Sequence, residues 1–85
     1  MRVWFSTHLR AYTGGAETDV AAPTVGALVD ELDRRHPGLK FRIVDEQDRI
    51  REHIVIFRNA EQVRDLRQPL TDADRLRIMG ALSGG

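Results

Sequence analysis

Hydrophobic and polar positions alternate from the first residues of the chain. Val3, Phe5, Thr7 and Leu9 fall on one side, and Arg2, Trp4, Ser6 and His8 on the other. That period of two predicts a strand with one apolar face. Tyr12-Thr13-Gly14-Gly15 follows, and because glycines adopt positive φ at no steric cost, a turn is expected there. A weaker strand over about 16–22, with Thr18, Val20 and Ala22 on one face, completes an N-terminal hairpin. The period then lengthens. Thr24 is a good N-cap, and Val25, Leu28, Val29 and Leu32 recur at the spacing of an amphipathic helix. Asp30, Glu31, Asp33, Arg34 and Arg35 cover the polar side of that helix. His36-Pro37-Gly38 stops it, since Pro37 disfavours helical geometry in the residue before it.

Residues 39–51 show no clean period and are read as irregular with a short helical turn, Phe41, Ile43, Val44 and Ile50 plugging the core. The run Ile54-Val55-Ile56-Phe57 within 53–58 suits a strand covered by the helix. Asn59-Ala60-Glu61 turns into a short return strand at Gln62-Val63-Arg64. A second turn at Thr71-Asp72-Ala73-Asp74 leads to a last strand over 75–79, Leu76 and Ile78 inward, Arg75 and Arg77 outward. One helix on one face of a mixed sheet makes this an α+β roll of four to five strands, with the first and last strands adjacent and parallel. The division expected is a single domain over 1–79 and a tail over 80–85, with no repeat or linker.

Composition narrows the functional classes. Eighty-five residues build one core and leave no room for a deep substrate cavity. The chain has no cysteine, which excludes disulfides, thiolate metal sites and a side-chain thiol nucleophile. Thirteen basic residues balance thirteen acidic ones, so no general attraction to nucleic acid or anionic lipid is expected. Lys40 is the single lysine. The opening residues lack a signal-peptide pattern, and no run nears the ~20 apolar residues of a membrane helix. A soluble cytoplasmic protein is the expectation.

The periodic pattern stops at Met79, ahead of Gly80-Ala81-Leu82-Ser83-Gly84-Gly85. Terminal glycines pack nothing and have the most backbone freedom to lose. In an arbitrary chain they read as a frayed end. Here they follow the last strand by a few residues, as a projecting tail would. Ala81, Leu82, Ser83 and Gly84 then form a segment narrow enough to thread a partner's channel, and the six residues span up to roughly 20 Å when extended. The unusual reactive group is the α-carboxylate of Gly85. A carboxylate resists attack, but its acyl-adenylate carries a good leaving group. Sulfide or a persulfide could then convert it to a thiocarboxylate, which carries sulfur without any cysteine.

Five stretches in order along the chain carry a family resemblance. They are Leu9-Arg10-Ala11-Tyr12-Thr13-Gly14-Gly15, Thr24-Val25-Gly26, Asn59-Ala60-Glu61-Gln62-Val63, Leu70-Thr71-Asp72-Ala73-Asp74-Arg75-Leu76 and the terminal Gly84-Gly85. With them the whole chain resembles the MoaD/ThiS family of ubiquitin-like, β-grasp sulfur carriers, and most of all the CysO-like subgroup that serves cysteine biosynthesis. Where the family usually has Gly, this chain has Ala60 and Ala73, so Asn59 or Asp72 must supply any positive φ in those turns. The resemblance implies a carrier rather than an enzyme, with no cofactor of its own. An E1-like adenylyltransferase would use ATP to adenylate Gly85. A sulfurtransferase or sulfide would then supply sulfur. A sulfur-accepting synthase would take it for cysteine, a thiazole, molybdopterin or a thio-natural product. As the sequence ends at Gly85, no extension is expected to need removal.

Other residues offer less. His8, His36 and His53 are scattered, with no zinc-ligand spacing. Asp72 and Asp74 read as turn residues bonded to their own backbone. Arg64, Arg67, Arg75 and Arg77 would form either a basic patch near the tail or simply solvated faces. Trp4 and Phe57 belong either to the core or to an exposed sheet face. In ubiquitin-like proteins that face, beside the tail, meets partners, so Phe57, Arg75 and Arg77 are the candidate docking residues. Two rival functions share the Gly85 chemistry or do without it: a modifier conjugated to lysines, and a passive interaction module.

Overall fold

The structure, a computed structural model, describes residues 1–80. Its elements in chain order are β1 (Arg2–Phe5), α1 (Thr7–Thr13), β2 (Glu17–Asp19), α2 (Val25–Arg35), α3 (Leu39–Ile43), β3 (Ile54–Arg58), β4 (Glu61–Val63) and β5 (Arg75–Gly80). The five strands form one mixed sheet in the order β2-β1-β5-β3-β4. The expected parallel pairing of first and last strands is present, with Arg2 opposite Arg75 and Phe5 opposite Ile78. β3 runs antiparallel on the other side of β5. One face of the sheet is covered. There Val3, Phe5, Ile54, Ile56, Leu76 and Ile78 meet Val25, Leu28, Val29 and Leu32 of α2, with Leu39 and Ile43 of α3 filling one end. α2 begins as its sequence indicates, with the Thr24 hydroxyl accepting from the Ala27 N–H at 3.1 Å.

Three expectations need correction. The first strand ends at Phe5, and Thr7–Thr13 is a helix. Thr7, assigned with the apolar face, is exposed, and His8 lies on this helix rather than on a strand. The alternation misled because Leu9 has the right parity for a strand while also facing the core from a helix. Gly14, at φ 73°, is the left-handed stop of α1, its N–H bonded to the Arg10 carbonyl at 2.8 Å. β1 and β2 do pair antiparallel, yet through an intervening helix rather than a tight hairpin, and β2 spans only 17–19. Second, Phe41 is 61% exposed instead of plugging the core. In the short helix α3, Leu39 and Ile43 lie one turn apart and face inward, which sends Phe41 outward under the guanidinium of Arg51, 4.6 Å from its ring centre. Third, β5 runs through Gly80, one residue further than expected.

The two turns that lack glycine are solved differently. Asn59 adopts the left-handed conformation, φ 53°, which asparagine tolerates better than most residues. Asp72 does not adopt it. The turn over 71–74 is held by Asp74, which is only 5% exposed and accepts from the Thr71 N–H at 2.8 Å, the Asn59 amide at 2.9 Å and Arg58 Nε at 3.0 Å. Asn59 in turn accepts from the Arg75 N–H at 3.0 Å, clamping the β3–β4 turn onto the start of β5. Asp74 is thus structural, as a turn aspartate should be. Led by the Thr71 N–H, these donors hold its carboxyl down at about 2, below the usual carboxylate range. Because the folded pKa lies below the unfolded one, the contribution is complete above about pH 4 and is lost as pH falls towards 2. Asp74→Ala is expected to lower the melting temperature by roughly 8–15 °C at pH 7. The gap between wild type and Asp74→Asn should close between pH 4 and 2 in thermal melts; a constant gap would refute the assignment.

Candidate functional site

The uncovered face of the sheet is organised by register. Side chains paired across neighbouring strands share a face, so Glu17, Trp4, Arg77, Phe57 and Gln62 form one row across all five strands. Asp19, Arg2 and Arg75 form a second row. Val55 and Met79 form a third, nearest the end of β5. The face therefore grades from charged at the start of β5 to apolar at Gly80.

Its aromatic residues each carry a cation. The Arg77 guanidinium lies 5.3 Å from the centre of the Phe57 ring, and that of Arg10 lies 5.3 Å from the Trp4 ring. Arg10 is held there by donating from Nε to the Phe5 carbonyl at 3.0 Å. Trp4 and Phe57 are half-buried and belong to this face, not to the core. A shallow depression of about 530 Å³ sits among Arg2, Trp4, Glu17, Arg75 and Arg77. Guanidinium groups over aromatic rings make a flat surface that carries charge and sheds water readily, the composition of interface anchors. Phe57, Arg75 and Arg77, the docking candidates of the sequence, are thus brought together, and Trp4 and Arg10 join them. No spacing rule could have added Arg10, because it reaches the face from a helix that the alternation hid.

The arginine group suggested by the sequence is divided. Arg75 and Arg77 share the open face. Arg67 lies in a different groove of about 510 Å³, beside Gly26, Lys40 and Leu66, where it pairs with Asp65 at 2.9 Å. Arg64 bonds the Gln62 side chain at 3.1 Å. Lys40 is paired with Asp30 at 2.8 Å, which raises its pKa. His8 and His53 are exposed and His36 caps the end of α2. Among the described residues, no group of three or more His, Cys, Asp or Glu could hold a metal ion, and no helix is long and apolar enough to cross a membrane.

At the apolar end of the face β5 finishes at Gly80, whose N–H donates to Ser6 Oγ at 2.9 Å. The tail residues Ala81, Leu82, Ser83, Gly84 and Gly85 lie outside the described residues.

Comparison with known proteins agrees with this architecture. The chain is 29% identical over 85 residues to the sulfur carrier protein CysO of Mycobacterium tuberculosis, covering 93% of this chain and 91% of that one. A crystal structure of the Amycolatopsis orientalis BexX/CysO complex contains a chain that superposes with a TM-score of 0.89 at 33% identity, covering 99% of this chain and 98% of that one. The crystal structure of SAMP1 from Haloferax volcanii gives a TM-score of 0.78 at 28% identity, covering 99% and 97%. The ThiS family model matches residues 3–85, from the core of β1 through the terminal glycines, and the chain therefore belongs to the ThiS family.

Proposed function

We propose that this protein is a sulfur carrier whose working group is the C-terminal carboxylate of Gly85. The observation that carries the reading is the family match, which runs through Gly84-Gly85. A carboxylate oxygen of Gly85 attacks the α-phosphorus of ATP on an E1-like adenylyltransferase, expelling pyrophosphate. Hydrosulfide then attacks the acyl carbon and expels AMP, leaving a thiocarboxylate. Where a sulfurtransferase persulfide attacks instead, AMP departs to leave an acyl disulfide, which a second thiol cleaves to the thiocarboxylate, forming a disulfide with the transferase sulfur. A sulfur-accepting synthase consumes the thiocarboxylate. ATP belongs to the activating partner, and this chain contributes a shaped domain and a narrow reactive end. The pairing of a similar chain with BexX in the Amycolatopsis structure supports a life spent docked on other proteins. The direct test is intact mass after incubation with ATP, sulfide and an E1-like enzyme. Replacement of one oxygen by sulfur supports the carrier, and no change across several such enzymes would sink it.

The open face is the docking surface in this reading, with Arg77 at the middle of its central row. Arg77→Glu reverses an exposed charge on the open face. It should raise the KM for the activating enzyme by about 10-fold or more, with stronger salt dependence than wild type. The melting temperature should stay within about 2 °C. An unchanged KM would place docking elsewhere.

The likeness to SAMP1, a small archaeal modifier protein, favours one second reading, conjugation of Gly85 to lysines of other proteins. Both readings share the adenylate and part at its fate. Isopeptide-linked adducts recovered from cells would identify the modifier, and thiocarboxylate without adducts the carrier.

A further inference from the structure

Ser6 stands where β1 gives way to α1, at the N-cap of the helix. An N-cap serine ordinarily turns its oxygen onto one of the first free N–H groups of its helix. Here it does not: α1 receives no side-chain cap bond. The reason lies in the sheet. Ser6 would be the next member of β1 in the parallel ladder with β5, and its N–H does make the next rung, donating to the Ile78 carbonyl at 3.1 Å. In a regular parallel ladder the following rung would run from the Gly80 N–H to the Ser6 carbonyl. That carbonyl has already turned into the helix, where it accepts from the Leu9 N–H at 3.0 Å and the Arg10 N–H at 3.3 Å. The Ser6 hydroxyl takes its place, accepting from the Gly80 N–H at 2.9 Å. One residue thus opens a helix with its main chain and extends a sheet with its side chain.

We propose that Ser6 is a positioning residue: its hydroxyl holds Gly80 at the end of the central strand and so sets the point from which Ala81–Gly85 is presented to the activating enzyme. The proposal rests on the carrier reading above. Gly80 is the last described residue before the segment that carries the reactive carboxylate, and it is half-buried between Ser6 and Ile54 of the neighbouring strand. Glycine is not imposed there by space, since an added Cβ would meet Ile54, His8 and Leu9 at ordinary contact distances of 3.4 to 4.0 Å. On the β1 side, the strand end is fixed by this bond. Without it the last rung to β1 opens, Gly80 keeps only its place opposite Ile54, and the heading at which the chain leaves the sheet is less defined. The reacting atoms, five residues away and held by the partner once bound, are untouched.

Two variants and two measurements decide it. Ser6→Ala removes the acceptor and costs α1 no cap bond, because none is made. Ser6→Thr keeps a hydroxyl. By amide hydrogen exchange, the Gly80 N–H should exchange about tenfold faster in Ser6→Ala, as expected for loss of one hydrogen bond. The Ser6 N–H bonded to Ile78 should change little, and Ser6→Thr should restore Gly80 protection. The second measurement is pyrophosphate release with an E1-like enzyme that adenylates the unmutated chain. There Ser6→Ala should raise KM roughly three- to tenfold with kcat unchanged, and Ser6→Thr should return it towards wild type. Unchanged Gly80 exchange would overturn the tether itself. Faster exchange with unaltered KM would overturn the positioning role. Failure of every enzyme tried to adenylate the unmutated chain would instead remove the carrier reading, and the positioning role with it, while the exchange data still judge the tether.

Discussion

Removing Gly85 is expected to abolish sulfur loading while leaving the melting temperature within about 1 °C of the full-length chain. The two halves of that expectation have separate causes. Loading fails because truncation moves the carboxylate by one residue, about 3.5 Å of extended chain, away from the adenylating site. An in-line attack on phosphorus tolerates little displacement, since a misplacement of about 1 Å can cost 10²-fold in rate. Stability survives because, among the described residues, the buried core runs from Val3 to Ile78 and lies upstream. Gly84→Leu should do the same by different means, keeping the chain length but adding a side chain where the carrier reading expects a narrow segment. Intact mass with ATP and sulfide reads the loading, and thermal melts read the fold. A fall of several degrees would show that the terminal residues are structural, whereas loading that persists without Gly85 would refute the assigned working group.

The largest stability effect should come from Phe5→Ala. Phe5 is fully buried at the end of β1, opposite Ile78 in the central parallel pair. Large-to-small changes of this kind cost about 3–5 kcal/mol, through lost transfer energy and the cavity left behind. Small domains have little stability in reserve, about 5 kcal/mol at the low end of the range. The variant should therefore unfold at a far lower denaturant concentration than wild type, and part of it should be unfolded at 37 °C. Phe57→Ala provides the contrast. Phe57 belongs to the open face, stacked under Arg77 and half-buried, so the same change should cost about 1 kcal/mol while weakening docking. Equal losses at the two positions would mean that the faces of the sheet have been misassigned.

Those two phenylalanines show what was legible in the sequence. Strand period puts Phe5 on an apolar face but leaves Phe57 open between the core and an exposed face, while helix period places α2 with its Thr24 cap. The parallel pairing of first and last strands followed from their apolar faces. Asn59 was one of two residues named as able to take positive φ. What stayed hidden was local structure carried by few buried side chains. α1 has one buried residue, Leu9, too little for a helical period to stand out from the alternation before it. The Ser6 and Gly14 punctuation at its ends was the available signal. α3 hid in the same way, because only the i, i+4 pair Leu39 and Ile43 faces inward, and Phe41 between them reads as core until the helix is seen. The open face was partly legible, yet its rows depend on register. The bond from Gly80 to Ser6 joins residues 74 apart, a pairing that no period can announce.

The position of β5 also has a mechanical side. β5 is the central strand, hydrogen-bonded to β1 along one edge and to β3 along the other, and residues 81–85 follow it in sequence. Ladder bonds run roughly perpendicular to a strand. A pull along β5 therefore loads the rungs of both ladders together, in shear, whereas an edge strand peeled sideways would give way one rung at a time. In the carrier reading, an enzyme that grips the residues after Gly80 hauls on a strand anchored along both sides, and the domain follows as a rigid body.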